Sequence, residues 1–142
     1  MTIKQLSISL ENTPGKLSYI SEILGKEGVN IRAISVADTS DISTVRFVVD
    51  DPKRAINILK SNNFSIKETD VLAVETPDHP GGLNAVLKPI KAAGINVHYL
   101  YPFLGRSGDQ AIVILGADNI EETDRILKEN WVHTLGKEVY NL

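Results

Sequence analysis

The stretch that decides the fold is ENTPGKLSYISEILGKEGVNI, residues 11–31, because the chain repeats it as PDHPGGLNAVLKPIKAAGINV, residues 77–97. The two copies align without a gap, at the 66-residue offset that separates Pro14 from Pro80. Five positions are identical: Pro14/Pro80, Gly15/Gly81, Leu17/Leu83, Gly28/Gly94 and Asn30/Asn96. Chance similarity would not keep this register, so the sequence indicates two tandem copies of one small module.

The first copy predicts the element order β-α-β-β-α-β of ferredoxin-like folds. Ile3–Leu10 alternates apolar and polar residues, which is typical of a half-buried strand. Thr13 is expected to cap a helix that Pro14 opens and Gly28 ends. The other elements predicted in this copy are strands at Ile31–Ala37 and Thr44–Val49, a turn at Thr39-Ser40-Asp41, and a helix opened by Asp51-Pro52.

The second copy follows the same order. The elements predicted there are a helix over Pro80–Ala93 with Pro89 inside it, a strand over Val97–Phe103, a hairpin loop over Leu104–Asp109, a returning strand over Gln110–Leu115, a helix capped by Asp118, and a last strand within Trp131–Leu142. Phe64–Glu75 holds no Gly or Pro, and we interpret it as the last strand of copy one running into the first strand of copy two. The prediction is an α+β fold with modules at 1–69 and 70–142, each an antiparallel four-stranded sheet with helices on one face.

Composition excludes several classes of function. The chain has 142 residues, a net charge of −3 and no cysteine, so neither a basic nucleic-acid surface nor a thiolate metal site is expected. No signal peptide and no run of about 20 apolar residues is present, so we expect no membrane association and a cytoplasmic protein. We expect no cofactor.

The loops before the two repeated helices carry the chemistry. A helix amino terminus offers unpaired N–H groups and a partial positive charge, which suit a carboxylate. Glycine at 15, 81 and 82 would let a ligand approach that backbone, and Asn12 or Asp78 would face its ammonium group. Each motif alone is also a common capping device, and the recurrence of both in the same order favours a binding site.

The pattern Asn/Asp-x-Pro-Gly-x-Leu followed by Gly-Val/Ile-Asn-Ile/Val resembles the ACT domain, over nearly the whole chain twice. ACT domains are regulatory amino-acid-binding modules that associate through their sheets and bind effectors at the interfaces. The resemblance implies ligand contacts at Asn12, Thr13, Pro14, Gly15, Lys16 and Leu17 with Asn30 of a neighbouring module, and at Asp78, His79, Pro80, Gly81, Gly82 and Leu83 with Asn96. It implies no metal and no catalytic residue.

Two departures from the family pattern bear on the ligand. Serine-binding members have a histidine two residues before the motif asparagine, where Leu10 and Thr76 stand here, so the resemblance does not extend to serine. Copy two has Asp78 where copy one has Asn12, which indicates sites of different affinity or ligand. No catalytic domain flanks the repeats, so we expect a stand-alone homodimeric protein that senses an amino acid and acts on a metabolic enzyme in trans.

Two alternatives remain open. An enzyme is disfavoured because His79, His98 and His133 have no metal-ligand spacing and because Gly105-Arg106-Ser107-Gly108 fits a hairpin turn better than a phosphate loop. The other alternative is a protein-binding subunit or scaffold without a small ligand. Its contact surface would be the aromatic residues Tyr99, Tyr101, Phe103 and Trp131.

Overall fold

The strands and helices follow the predicted order along the chain, except that one strand stands where two were predicted in Phe64–Glu75. The structure is a computed structural model that describes residues 1–39 and 41–142. The elements are β1 (Ile3–Glu11), α1 (Lys16–Lys26), β2 (Ile31–Asp38), β3 (Ile42–Val49), α2 (Pro52–Ser61), β4 (Lys67–Thr76), α3 (Gly82–Ala92), β5 (Val97–Ser107), β6 (Gln110–Ala117), α4 (Ile120–Glu129), β7 (Thr134–Leu135) and a 3₁₀ helix at Lys137–Asn141. Part of the predicted turn Thr39-Ser40-Asp41, namely Ser40, lies outside the described residues.

The chain divides into two units. The amino-terminal unit is Lys4–Thr69, and the carboxy-terminal unit joins Met1–Ile3 to Asp70–Leu142. No helix of the described residues is both long enough and apolar enough to cross a bilayer.

The amino-terminal unit is built on antiparallel pairs in the order β1-β3-β2. Alternate residues of these strands, such as Ile8 and its partner Val45, point into one apolar cluster. Ile20 and Leu24 of α1 and Leu59 of α2 are buried in the same cluster. Both helices therefore cover one face of the sheet, as predicted.

The carboxy-terminal unit is a four-stranded antiparallel sheet in the order β5-β6-β4-β7. Its cluster joins Leu72 and Leu115 of the sheet to Val86 of α3 and Leu127 of α4. The last strand is much shorter than predicted from Trp131–Leu142, because β7 pairs with β4 only through Thr134 and Leu135. The chain then turns into the 3₁₀ helix.

The prediction of two separate four-stranded sheets is wrong. Where two strands were expected in Phe64–Glu75, there is one strand, β4, and it spans the boundary between the units. Only Lys67–Thr69 of it belongs to the amino-terminal unit. From Leu72 onward β4 pairs with β6 and, at Ala73 and Val74, also with β7, so both of its edges are occupied there.

The starts of α1 and α4 differ from the prediction, whereas the start of α2 agrees with it. The first residue of α1 is Lys16 and its N-cap is Gly15, so Thr13 does not cap the helix and Pro14 lies outside it. Asn119 rather than Asp118 caps α4, by accepting a hydrogen bond from the N–H of Glu122. The predicted cap of α2 is confirmed, since Asp51 accepts from the N–H of Arg54 with Pro52 at the first helical position.

The second copy also differs in detail. α3 begins at Gly82 instead of Pro80 and runs through Pro89 to Ala92. β5 extends to Ser107, so the turn before β6 is short and the predicted loop over Leu104–Asp109 is mostly strand. Pairing with β6 is irregular between Pro102 and Arg106, which is how the longer strand is accommodated.

Candidate functional site

The β1–α1 loop of the amino-terminal unit delivers a glycine in the left-handed conformation to the start of a helix. Gly15 has φ +86° and ψ −8°, and no side chain caps α1. A Cβ built on Gly15 would have no atom within 4 Å, so glycine is required by the backbone angle and not by crowding. The loop residues from Asn12 to Leu17 are all exposed. The first turn of α1 therefore opens directly on solvent.

The same arrangement recurs before α3. Gly81 has φ +81° and ψ −3°, and again no side chain caps the helix. Gly82 is different: a Cβ there would lie 1.9 Å from the carbonyl oxygen of Pro77. This glycine is needed to make room for the chain's own backbone, which the sequence interpretation did not anticipate, and its contact with a ligand stays a prediction. Its counterpart in the first copy, Lys16, is exposed.

The other two helices have conventional amino termini. Asp51 caps α2 and Asn119 caps α4, each accepting from a backbone N–H of the first turn at 3.3 Å. Capping side chains satisfy N–H groups that would otherwise bond water or a ligand. The helices that follow the repeated Pro-Gly motif are thus the two without such a cap.

A carboxylate that the sequence pattern did not indicate lies beside the first loop. The side-chain Nδ2 of Asn12 donates to Oδ2 of Asp38 at 3.3 Å, and Ser43 Oγ donates to Oδ1 of Asp38 at 2.8 Å. Both partners that the described residues provide to this carboxylate are uncharged. Asp38 is the last residue of β2, and its position just before the predicted turn is the only sequence feature that could have drawn attention to it.

The second loop carries an ion pair where the first has an amide. Oδ2 of Asp78 accepts from Nη2 of Arg106 at 3.0 Å, and the same nitrogen donates to the carbonyl oxygen of Asp109 at 2.8 Å. Nδ1 of His79 lies 3.0 Å from the carbonyl oxygen of Pro80. The two loops therefore have a similar backbone conformation. They differ in electrostatics, because Asp78 is already paired with a cationic side chain.

Leu17 and Leu83 occupy equivalent places in the first turns of α1 and α3, and each is 40% exposed. Leu17 lines a cleft of about 420 Å³ between α1 and β2. The rest of its lining comes from Ser18, Ile20, Ser21, Ile31 and Ile34. This cleft is mostly apolar and begins at the open end of α1.

Asn30 and Asn96 lie at the other ends of the same helices. The N–H of Asn30 donates to Oδ1 of Asp50 at 2.9 Å, and its carbonyl oxygen accepts from the N–H of Asp50 at 3.0 Å. The carbonyl oxygen of Asn96 accepts from the N–H of Asp118 at 3.1 Å. Because α1 has 11 residues, it is about 16 Å long, and one amino acid cannot contact both Gly15 and Asn30 of the same module.

The histidines and aromatic residues have different surroundings. His98 pairs with Asp118 at 2.5 Å on the surface, and the rings of Tyr99 and Tyr101 pack with their centroids 6.3 Å apart. Among the residues that the structure describes, no group of three or more His, Asp or Glu side chains is arranged to hold a metal ion. Tyr101 and Phe103 are buried, whereas Trp131 is exposed, so the four aromatic residues do not form one surface.

Comparisons with known proteins agree with this architecture. A family model described as an ACT domain pair matches residues 1–141. Protein BT0572 from Bacteroides thetaiotaomicron is 36% identical, with a TM-score of 0.92 over 100% of this chain and 98% of that chain. No curated protein matches the sequence.

More distant solved structures share the fold. The regulatory subunit of aspartate kinase from Thermus thermophilus is 16% identical, with a TM-score of 0.64 over 90% of this chain and 92% of that one. The corresponding subunit from Thermus flavus is also 16% identical, with a TM-score of 0.59 over the same shares. At this identity the likeness extends to the fold alone.

Proposed function

Because this chain belongs to the family of ACT domain pairs, we propose that it is a regulatory protein that binds a free amino acid at the amino-terminal ends of α1 and α3. The observation that carries the proposal is the difference between its helices. α1 and α3 begin at left-handed glycines without a side-chain cap, whereas Asp51 and Asn119 cap the other two. N–H groups at a helix start are suited to a carboxylate ligand. In α3, those of Gly82 and Asn84 already donate to the carbonyl oxygens of His79 and Gly81, at 2.8 and 3.1 Å.

The first site also offers a partner for the ligand's ammonium group. Asp38, which accepts hydrogen bonds from Asn12 and Ser43, places a carboxylate next to the loop that would bind the ligand's carboxylate. Charge-assisted hydrogen bonds of this kind are stronger than neutral ones. Asp78 in the second site is already paired with Arg106. We therefore assign the higher affinity for an α-amino acid to the first site.

The side chain of the ligand would occupy the apolar cleft that starts at Leu17. Burial of an aliphatic side chain there contributes about 25 cal/mol per Å² of apolar surface removed from water. The proposed ligand is accordingly an aliphatic amino acid. Asn30 would complete the site from a second module, since it lies too far from Gly15 within one module.

The proposal specifies the regulated partner only as a class of protein. The Thermus proteins named above are regulatory subunits of aspartate kinase, and they share this fold. By analogy, we propose that this chain forms a homodimer in the cytoplasm and modulates a metabolic enzyme on another chain. Binding a ligand between modules would favour one arrangement of the modules and thereby couple occupancy to regulation.

The proposal is tested by a thermal-shift screen of the full chain against the twenty amino acids and their 2-oxo acids. We expect aliphatic amino acids to raise the midpoint of unfolding, since a ligand at 100 times its Kd adds about 2.7 kcal/mol. The 2-oxo acids lack the ammonium group and should stabilise the chain far less. No shift with any amino acid at millimolar concentration would contradict the proposal and favour a protein-binding subunit without a small ligand.

Two variants locate the site. Asp38→Asn removes the carboxylate without changing its shape and should weaken binding about tenfold. Glu68→Gln, which removes an exposed charge from the same unit, should leave the affinity unchanged. Equal affinity in both variants would contradict the assignment of Asp38.

A further inference from the structure

Trp131 has a backbone conformation and a solvent exposure that are both unfavourable for a tryptophan. It follows the end of α4 with φ +62°, in the left-handed region that bulky residues rarely adopt, and its side chain is 96% exposed. Its N–H bonds the carbonyl oxygen of Lys128 at 3.1 Å. The first unit makes the same helix end with Asn63, at φ +66°, bonded to Lys60 at 3.0 Å. Asparagine tolerates this conformation and exposure, so the tryptophan calls for another explanation.

A cleft of about 210 Å³ adjoins this tryptophan. It lies between the end of β4, helix α3 and the segment from α4 to β7. Its polar side chains are those of Glu75, Gln110, Asn130 and His133, with Val86 among its apolar ones. The N–H of Glu75 donates to the carbonyl oxygen of His133 at 3.0 Å, which ties the two walls together.

The cleft is lined by one acidic side chain, that of Glu75. The carboxylate of Glu75 accepts a hydrogen bond from the hydroxyl of Ser107, a neutral donor, and the lining contains no Lys or Arg. In the first copy the aligned positions hold uncharged residues: Ser9 for Glu75, Thr44 for Gln110, Asn62 for Asn130 and Asn63 for Trp131. The combination of indole and carboxylate belongs to the second copy.

We propose that this cleft binds a small organic cation, an alkylguanidinium or alkylammonium group. An exposed indole face attracts such a cation through its π electrons, more strongly than other aromatic rings do. Glu75 supplies the opposite charge, and Gln110 and Asn130 supply amide oxygens that accept from the cation's N–H groups. The small volume matches one such group with a short alkyl stem. This cleft adjoins the loop before α3, because Pro77 lines it, but the ligand proposed for it carries no carboxylate.

The single tryptophan of the chain makes a direct test possible. The probe is agmatine, which carries guanidinium and ammonium groups but no carboxylate and so cannot bind as an amino acid would. We expect a saturable change in Trp131 fluorescence at millimolar agmatine. Glu75→Gln should weaken binding about tenfold. Glu121→Gln, which removes an exposed charge on α4, should leave it unchanged.

Trp131→Asn provides the matched variant, because it installs the residue found at Asn63. It should keep or raise the thermal midpoint and lose agmatine binding measured by calorimetry. The proposal is overturned if agmatine produces no fluorescence change, if uncharged pentanamide produces the same change, or if binding persists at full affinity in Glu75→Gln.

Discussion

The glycines at the starts of α1 and α3 are required for two different reasons, a positive φ angle or a close contact with backbone. Gly15 and Gly81 have positive φ angles and open space around them, so they set the direction of the chain. Gly82 has no such angle, and it lies against the carbonyl of Pro77. Only the first kind leaves room for a ligand beside the helix start.

Gly82→Ala should destabilise the fold by about 1–3 kcal/mol, because the clash is with backbone atoms that cannot rotate away. Lys16→Ala, at the equivalent exposed position of the first copy, should change stability by less than about 0.5 kcal/mol. Urea denaturation followed by circular dichroism measures both. A Gly82→Ala protein as stable as the parent would show that the Pro77 loop moves freely.

At the scale of the element, the helices divide into capped and uncapped pairs. Thr13-Pro14 and Asp51-Pro52 present the same capping signal in the sequence, but only the second caps its helix. The intervening Gly15 explains the difference: its left-handed angle turns the chain, so the helix starts at Lys16, beyond the reach of Thr13. The backbone N–H of Thr13 instead donates to the carbonyl oxygen of Glu11 at 2.8 Å.

Alanine substitutions at the two sites should therefore differ. Asp51→Ala should lower the free energy of unfolding by about 1 kcal/mol through loss of the cap on α2. Thr13→Ala should lower it by less than about 0.5 kcal/mol, since the exposed Thr13 side chain caps nothing. Thermal unfolding of the ligand-free variants measures both, and equal losses would contradict the assignment of Gly15 as the N-cap.

At the scale of the whole molecule, Asp124 joins parts of the chain that are far apart in sequence. Only 6% of this residue is exposed. Its carboxylate accepts from Thr134 Oγ1 at 2.7 Å, from Lys128 Nζ at 3.0 Å and from the ammonium group of Met1. Burial by itself would raise the pKa of Asp124, but the hydrogen bonds from Met1, Thr134 and Lys128 outweigh it, so the pKa lies below its ordinary value.

The sign of the pH dependence follows from that direction. A carboxylate whose pKa is lower in the folded chain stabilises the fold above its unfolded pKa of about 3.9, and this contribution is lost as the pH falls toward the folded value. Asp124→Asn should therefore cost about 1–2 kcal/mol at pH 7 and less at pH 3. Glu121→Gln, an exposed acid on the same helix, should cost little at either pH. Urea titrations at the two pH values measure these losses of stability. A loss in Asp124→Asn that does not change with pH would contradict the assigned role of the carboxylate.

The candidate site was predictable in part. The loop residues from Asn12 to Leu17 are consecutive, so the repeat was enough to group them, and the structure shows them exposed at the start of α1. Asp38 could not be found in this way, because its hydrogen bond with Asn12 joins positions 26 residues apart. The roles of Asn30 and the other predicted ligand contacts stay predictions.

The sequence by itself determined the duplication, the order of most strands and helices, and the left-handed glycine, Gly28, that ends the first helix. These follow from local chain geometry and from periodic burial, both of which depend on residues that are close together in the sequence. The tertiary structure alone decided that β4 is one strand shared across the boundary, that Gly82 makes room for Pro77, and that Asp38 and Asp124 acquire their partners. Each of these depends on strand edges and side chains that come into contact only after distant segments pack. The linear pattern of residues does not specify such long-range contacts.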